Sequence, residues 1–118
     1  MSIKKIITIP DPILRQISEP VKSVDTEIKK LSEDMLETMY NAPGIGLAAV
    51  QVGVLKRVIV IDLSKKDEKK NPIFIINPEL TFKSDDLVSY EEGCLSIPSQ
   101  FAEVKRPNKC NIKYLDIE

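Results

Sequence analysis

The hydrophobic period of this chain changes once, at "NAPG" (Asn41–Gly44), and that change limits the folds open to it. Before it, Ile28, Leu31, Met35 and Met39, with Leu36 and Tyr40, recur at three- and four-residue spacing. They predict one amphipathic helix from about Thr26 to Tyr40. Asp25 suits its N-cap, and Glu27 suits the positive end of its dipole. Pro43 and Gly44 end it. Beyond that point β-branched runs take over, at Arg57–Leu63 and Pro72–Asn77. Shorter strand candidates follow at Leu80–Lys83, Leu87–Glu91, Phe101–Lys105 and Asn111–Ile117. A single helix before roughly six strands predicts an α+β fold, with largely antiparallel sheets packed around the helix. The opening segment carries Pro10, Pro12 and Pro20, so it is expected to wrap the surface with one short helical turn around Ile13–Ile17.

A chain of 118 residues, 42% apolar and 30% charged, is expected to form one soluble globular domain over residues 1–118. Its net charge is −1, with 17 basic and 18 acidic residues interspersed, which is not the footprint of a nucleic-acid binder. "KKDEKK" at Lys65–Lys70 reads as a solvated loop. No run approaches the ~18 apolar residues of a membrane span, and the N-terminus lacks a signal-peptide core. These features predict a cytoplasmic protein whose two cysteines, Cys94 and Cys110, are free thiols.

Two short stretches bear chemistry. In "GIGLAAVQ" (Gly44–Gln51), Gly44 and Gly46 permit close approach of another chain, and Gln51 supplies an amide able to donate or accept a hydrogen bond. The same octapeptide also fits a helix C-cap followed by a packed loop with Gln51 exposed. In "EEGCLSIP" (Glu91–Pro98), Cys94 fits either a small buried apolar residue or a metal-bound thiolate. Glu91 and Glu92 oppose a bare thiolate, so a free cysteine nucleophile is disfavoured. Cys110 alternates with Ile112 and Tyr114, which predicts a core position on one strand face.

Taken together, in that order and spacing, the two stretches resemble the first two signature motifs of the peptide deformylase family. "IPDPILR", "DMLETMY", "RVIVIDLS" and "INPEL" extend the resemblance over essentially the whole chain. It implies a metal-dependent hydrolase that removes the formyl group from formyl-methionyl nascent polypeptides near the ribosome. Carried onto this sequence, it implies Cys94 as a ligand of Fe(II), with Zn, Ni or Co as substitutes. Gln51 and the backbone N–H of Leu95 are implied to stabilise the oxyanion. Gly44, Ile45, Gly46 and Gly93 are implied to line the substrate cleft. Beside these, an ion pair between Glu92 and Arg106 is expected to hold the second motif in register.

The chain departs from that family at one place. It contains no histidine, so the family's third motif, His-Glu-x-x-His on a helix, is absent together with its two imidazole ligands and its glutamate. The sequence stops in or just after a strand with no capping signal, which leads us to expect a C-terminally truncated deformylase-like domain. Such a chain is expected not to hold the metal alone and to be inactive. It is also expected to expose sheet surface through which it self-associates. The alternative is a metal-free relative that binds peptide N-termini without catalysis.

Overall fold

The computed structural model describes residues 3–65, 68–107 and 109–116. Helix α1 spans Thr26–Asn41, and Asp25 caps it by accepting the Ile28 N–H at 3.0 Å. Its inward stripe buries Ile28, Met35 and Met39, with Leu31, Leu36 and Tyr40 half-buried beside them. Each of the fully buried side chains contributes about 1.5–3 kcal/mol, and the half-buried ones less. Ser32 and Thr38 lie on the same buried side, and each donates its hydroxyl to the carbonyl one turn back, at 2.8 and 2.7 Å. Their burial therefore leaves no unmet donor. Thr38 also accepts the Lys4 N–H at 2.8 Å, which pins the N-terminal segment to the helix.

Among the described residues six strands follow: β1 (Gly46–Ala48), β2 (Val58–Ile61), β3 (Ile73–Lys83), β4 (Leu87–Cys94), β5 (Ile97–Pro107) and β6 (Cys110–Leu115). These strands pair antiparallel throughout. One sheet has the order β1-β2-β3-β6, and β4 with β5 forms a separate hairpin. The core lies between α1 and the inner face of β1 and β2, where Leu47, Ala49, Val58, Val60 and Ile76 meet Met35 and Met39. The architecture is the expected α+β arrangement, and the proline-rich opening contributes one 3₁₀ turn at Pro12–Arg15.

The predicted strand Pro72–Asn77 does not stop there, but joins Leu80–Lys83 in a single β3. The reason is Asn77, which sits at φ 53 within a register shift between Ile76 and Glu79. Asparagine tolerates the left-handed region because its short amide can bond locally. Here that amide brackets Val21, accepting its N–H at 2.7 Å and donating to its carbonyl at 2.8 Å. An Asn-Pro pair that reads as a strand end is in fact a bulge tied to the N-terminal segment.

The core position expected for Cys110 is not found. Cys110 is exposed, as are Ile112 and Tyr114. They share a strand face as the alternation predicts, but β6 is an edge strand and all six of its residues are exposed. The exposed set extends to Leu80, Phe82 and Leu115, and on the hairpin to Leu87, Val88 and Tyr90. Of the last predicted strand, Ile117 lies outside the described residues, as do positions 66 and 67 of the charged loop.

A polar clasp closes the link between β2 and β3. Asp62 is 4% exposed and accepts the Tyr40 hydroxyl, the Ser64 N–H at 2.8 Å and the Asn71 N–H at 3.1 Å. Hydrogen bonds from Ser64 and then Tyr40 hold the Asp62 carboxyl at about 2, below the usual 3.8. Burial, then the bond and charge of Asp62, push the Tyr40 phenol up to about 12 from 10.0. A depressed carboxylate contributes fully above its unfolded value, and that contribution is lost as pH falls through the folded one. A raised phenol contributes fully below pH ~10 and loses its contribution as pH rises toward ~12. Urea midpoints of the wild-type chain should therefore drop below pH ~4 and above pH ~10. In Asp62→Asn the acid-side drop should shrink, and an unchanged acid limb would mean that the clasp does not stabilise the fold.

Candidate functional site

The site begins where α1 ends. The carbonyl of Met39 accepts the Ala42 N–H at 3.3 Å and the Gly44 N–H at 2.7 Å, so Gly44 is fastened to the last turn of the helix. The chain then enters β1, where Gly46 pairs with Ile61, and Ile45 accepts the Asp62 N–H at 3.0 Å. A 3₁₀ turn over Ala49–Val52 brings Gln51 back over this strand. Gly53 ends the turn at φ 85, a left-handed conformation that glycine adopts without a Cβ penalty. The Gln51 Oε1 accepts the Ala48 N–H at 2.9 Å, which leaves the amide nitrogen facing outward.

The second motif lies at the tip of the β4–β5 hairpin. A register shift between Gly93 and Cys94 turns the end of β4, and Cys94 pairs with Ile97 across a tight turn made by Leu95 and Ser96. Such an irregularity re-aims the side chain beside it. The turn is docked onto the first motif at several points. Ser96 is 4% exposed; its carbonyl accepts the Ile9 N–H at 2.9 Å, and its hydroxyl accepts from Gln51 Nε2 at 3.1 Å. Leu95 lies directly over Gly44. The neighbouring Ile7 N–H bonds the Gln51 carbonyl at 2.7 Å, so the N-terminal segment clamps both motifs. As a result Gln51 Nε2 points at the Cys94 sulfur across 3.5 Å, although 43 residues separate them.

These groups form one wall of a cavity of about 720 Å³. Gly44, Ile45, Gly46, Gln51, Gly93, Cys94 and Leu95, all singled out from the sequence, line it together. Ile6, Pro43, Ile97 and Phe101 supply apolar lining that the sequence did not indicate. A second cavity of about 420 Å³ shares Gln51, Cys94 and Ile97 with the first and is also lined by Leu14, Arg15 and Ser96. Glu92 and Arg106 line neither cavity. Arg106 belongs to β5 and donates Nε and Nη2 to the two Glu92 oxygens at 2.5 and 2.7 Å. This planar fork spans the face of the hairpin that carries the motif. The guanidinium holds the Glu92 carboxyl below its ordinary value, and the carboxylate raises Arg106 in turn.

Ser96 is the polar group at this site that the sequence reading passed over. Its only signal was its place two residues after the cysteine, since its burial depends on how the hairpin docks. As a donor set for a metal the site is sparse. Cys94 is exposed and offers one sulfur, but among the described residues no group of three His, Cys, Asp or Glu side chains could hold a metal ion. What the wall offers chemically is an oriented amide N–H beside a thiol, at the polar end of an apolar recess.

Residues 3–118 match the family model described as polypeptide deformylase. The chain is 56% identical to the peptide deformylase of Pelagibacter ubique over 116 residues, covering 98% of this chain and 67% of that one. It is 53% identical to the peptide deformylase of Rhizobium meliloti over 118 residues, covering all of this chain and 68% of that one. Among solved structures, it resembles the Ehrlichia chaffeensis peptide deformylase in complex with actinonin, with a TM-score of 0.94 and 44% identity. That likeness covers 99% of this chain and 70% of the other. The Thermotoga maritima peptide deformylase gives a TM-score of 0.92 at 38% identity, covering 99% of this chain and 76% of that one.

Proposed function

Because this chain belongs to the polypeptide deformylase family, a family of hydrolases, we propose that its cavity recognises the formyl-methionyl end of a peptide. The observation that carries this reading is the Gln51 amide, anchored through its oxygen and presenting N–H at 3.5 Å from the Cys94 sulfur on the cavity wall. A donor fixed in that way bonds a formyl oxygen without reorganising, and it bonds more strongly as negative charge develops there. The backbone N–H of Leu95, in the adjoining turn, is the second proposed donor. The apolar recess beside them takes an unbranched thioether side chain, which adapts to irregular pockets. β1 is an edge strand of its sheet, so an extended peptide can add to it through main-chain bonds that read no sequence. Nascent polypeptides in the cytoplasm are the proposed partners.

Hydrolysis is a separate matter. In the family, the metal would supply an activated water. Cys94 is the residue placed to give it a thiolate, but one thiolate does not hold iron, zinc, nickel or cobalt at useful affinity in a site built for three protein ligands. The 118 residues contain no histidine to join it. We therefore propose that these residues bind without turnover. Calorimetry with formyl-Met-Ala-Ser and with its unformylated counterpart tests the binding, with formate release and metal content measured alongside. The formylated peptide should bind more tightly, and Gln51→Ala should weaken it about tenfold, the worth of one hydrogen bond. Equal affinity for the two peptides would remove the formyl-recognition reading, and formate release by a metal-free sample would remove the second.

A further inference from the structure

We infer that Ser96 is a positioning residue for Gln51, the group that directs the second N–H of that amide toward the Cys94 sulfur and the cavity. The inference rests on the peptide-binding reading above and adds to it a residue that touches no ligand. The last torsion of a glutamine side chain is sp³–sp² and has only a broad, two-fold preference. Left to itself, the Gln51 amide would rotate, and hydrogen bonds have to fix it. Two do so. Ala48 N–H can bond only to the oxygen end of the amide, at 2.9 Å, which settles which end is nitrogen. The Ser96 hydroxyl oxygen then takes one of the two amide protons, at 3.1 Å. The remaining proton is left facing the Cys94 sulfur at 3.5 Å and the cavity beyond it.

The placement of Ser96 fits this role better than a packing role does. The residue is 4% exposed, so its hydroxyl is largely withdrawn from solvent and its protein partner is the Gln51 amide. Its main chain is held independently, by the bond from Ile9 N–H to its carbonyl at 2.9 Å. The turn therefore has an anchor that does not need the hydroxyl. Removing that oxygen leaves the turn docked and leaves the amide held only by its Ala48 bond and the long contact to the Cys94 sulfur, so it turns more freely.

A double-mutant cycle tests this, using calorimetry of the 118-residue chain with formyl-Met-Ala-Ser. Ser96→Ala should weaken binding about tenfold in the wild-type background, one oriented hydrogen bond's worth. In the Gln51→Ala background the same change should alter binding less than about twofold, because no amide remains to position. In parallel, the two Gln51 side-chain amide protons, followed by NMR, should exchange faster with solvent in Ser96→Ala. Equal losses in both backgrounds, or amide exchange unchanged, would overturn the inference while leaving peptide recognition intact. A wild-type chain that does not distinguish the formylated from the unformylated peptide would remove the reading itself, and this inference with it. If Ser96→Ala does not fold, Ser96→Cys under reducing conditions keeps the volume, weakens the acceptor, and is read by the same cycle.

Discussion

Met39→Ala should lower the unfolding free energy by about 2–5 kcal/mol, the range for truncating a buried methionine whose surroundings cannot close the void. Met39 is 0% exposed and packs within the cluster formed by Met35, Leu47, Val58 and Val60. Its neighbours come from the helix and from two paired strands, so the space cannot collapse without shifting a sheet. Against the ~5–15 kcal/mol that holds a domain of ordinary stability, this is a large share. Met39→Leu nearly conserves volume and should cost less than about 1.5 kcal/mol. Urea unfolding at pH 7 of the two variants and the wild type measures the difference. A loss below about 1 kcal/mol for the alanine variant would mean that the helix does not seal this core as described.

The helix was the most legible part of the chain because its evidence is local. The stripe from Ile28 to Met39, the cap at Asp25 and the stop at Gly44 all act within a few residues of where they are read. Strands β2 and β4 announced themselves through β-branched runs and alternation. β1 was not anticipated, because Gly46, Leu47 and Ala48 form a strand only through their pairing with Ile61, Val60 and Ile59. Cys110 shows the limit of alternation as a signal. It tells which residues share a face but not whether anything covers that face, and here the face belongs to an exposed edge strand.

The candidate site divides in the same way. Nothing in periodicity brings Gln51 to Cys94, and their proximity was expected only from the likeness of the two motifs to a known family. Ser96 was invisible as a positioning group because its burial is produced by Ile9, Gln51 and the hairpin together. Arg106 reached Glu92 by hairpin register: Glu92 faces Ala102 and Arg106 faces Val88, so the two share a face diagonally. Local chemistry was readable from the chain, and contacts set by docking one segment on another were not.

Gly44→Val should weaken formyl-peptide binding about tenfold, the worth of one oriented hydrogen bond. The glycine is not there for its backbone. Among the described residues Gly53 is the glycine with positive φ, and Gly44 is not strained. What Gly44 provides is space, since a Cβ built on it would lie 2.8 Å from Leu95 Cδ1, closer than real contacts allow. Its N–H is tied to Met39 at 2.7 Å, so the helix end does not readily yield, and Leu95 is the partner that must move. The Leu95 side chain is flexible and can turn part of the way aside. Leu95 nevertheless sits in the turn between Cys94 and Ser96, so the part of the shift that reaches its main chain displaces the proposed backbone donor. Overpacking of this kind costs about 1–3 kcal/mol in stability, small enough for the variant to fold and be tested. Shortening the opposing side chain should relieve the clash, so Leu95→Ala should be far less damaging in the Gly44→Val background than in the wild type. Calorimetry and unfolding on the four chains of that cycle would show it. Strictly additive losses would mean that Gly44 is required for some reason other than the leucine that lies over it.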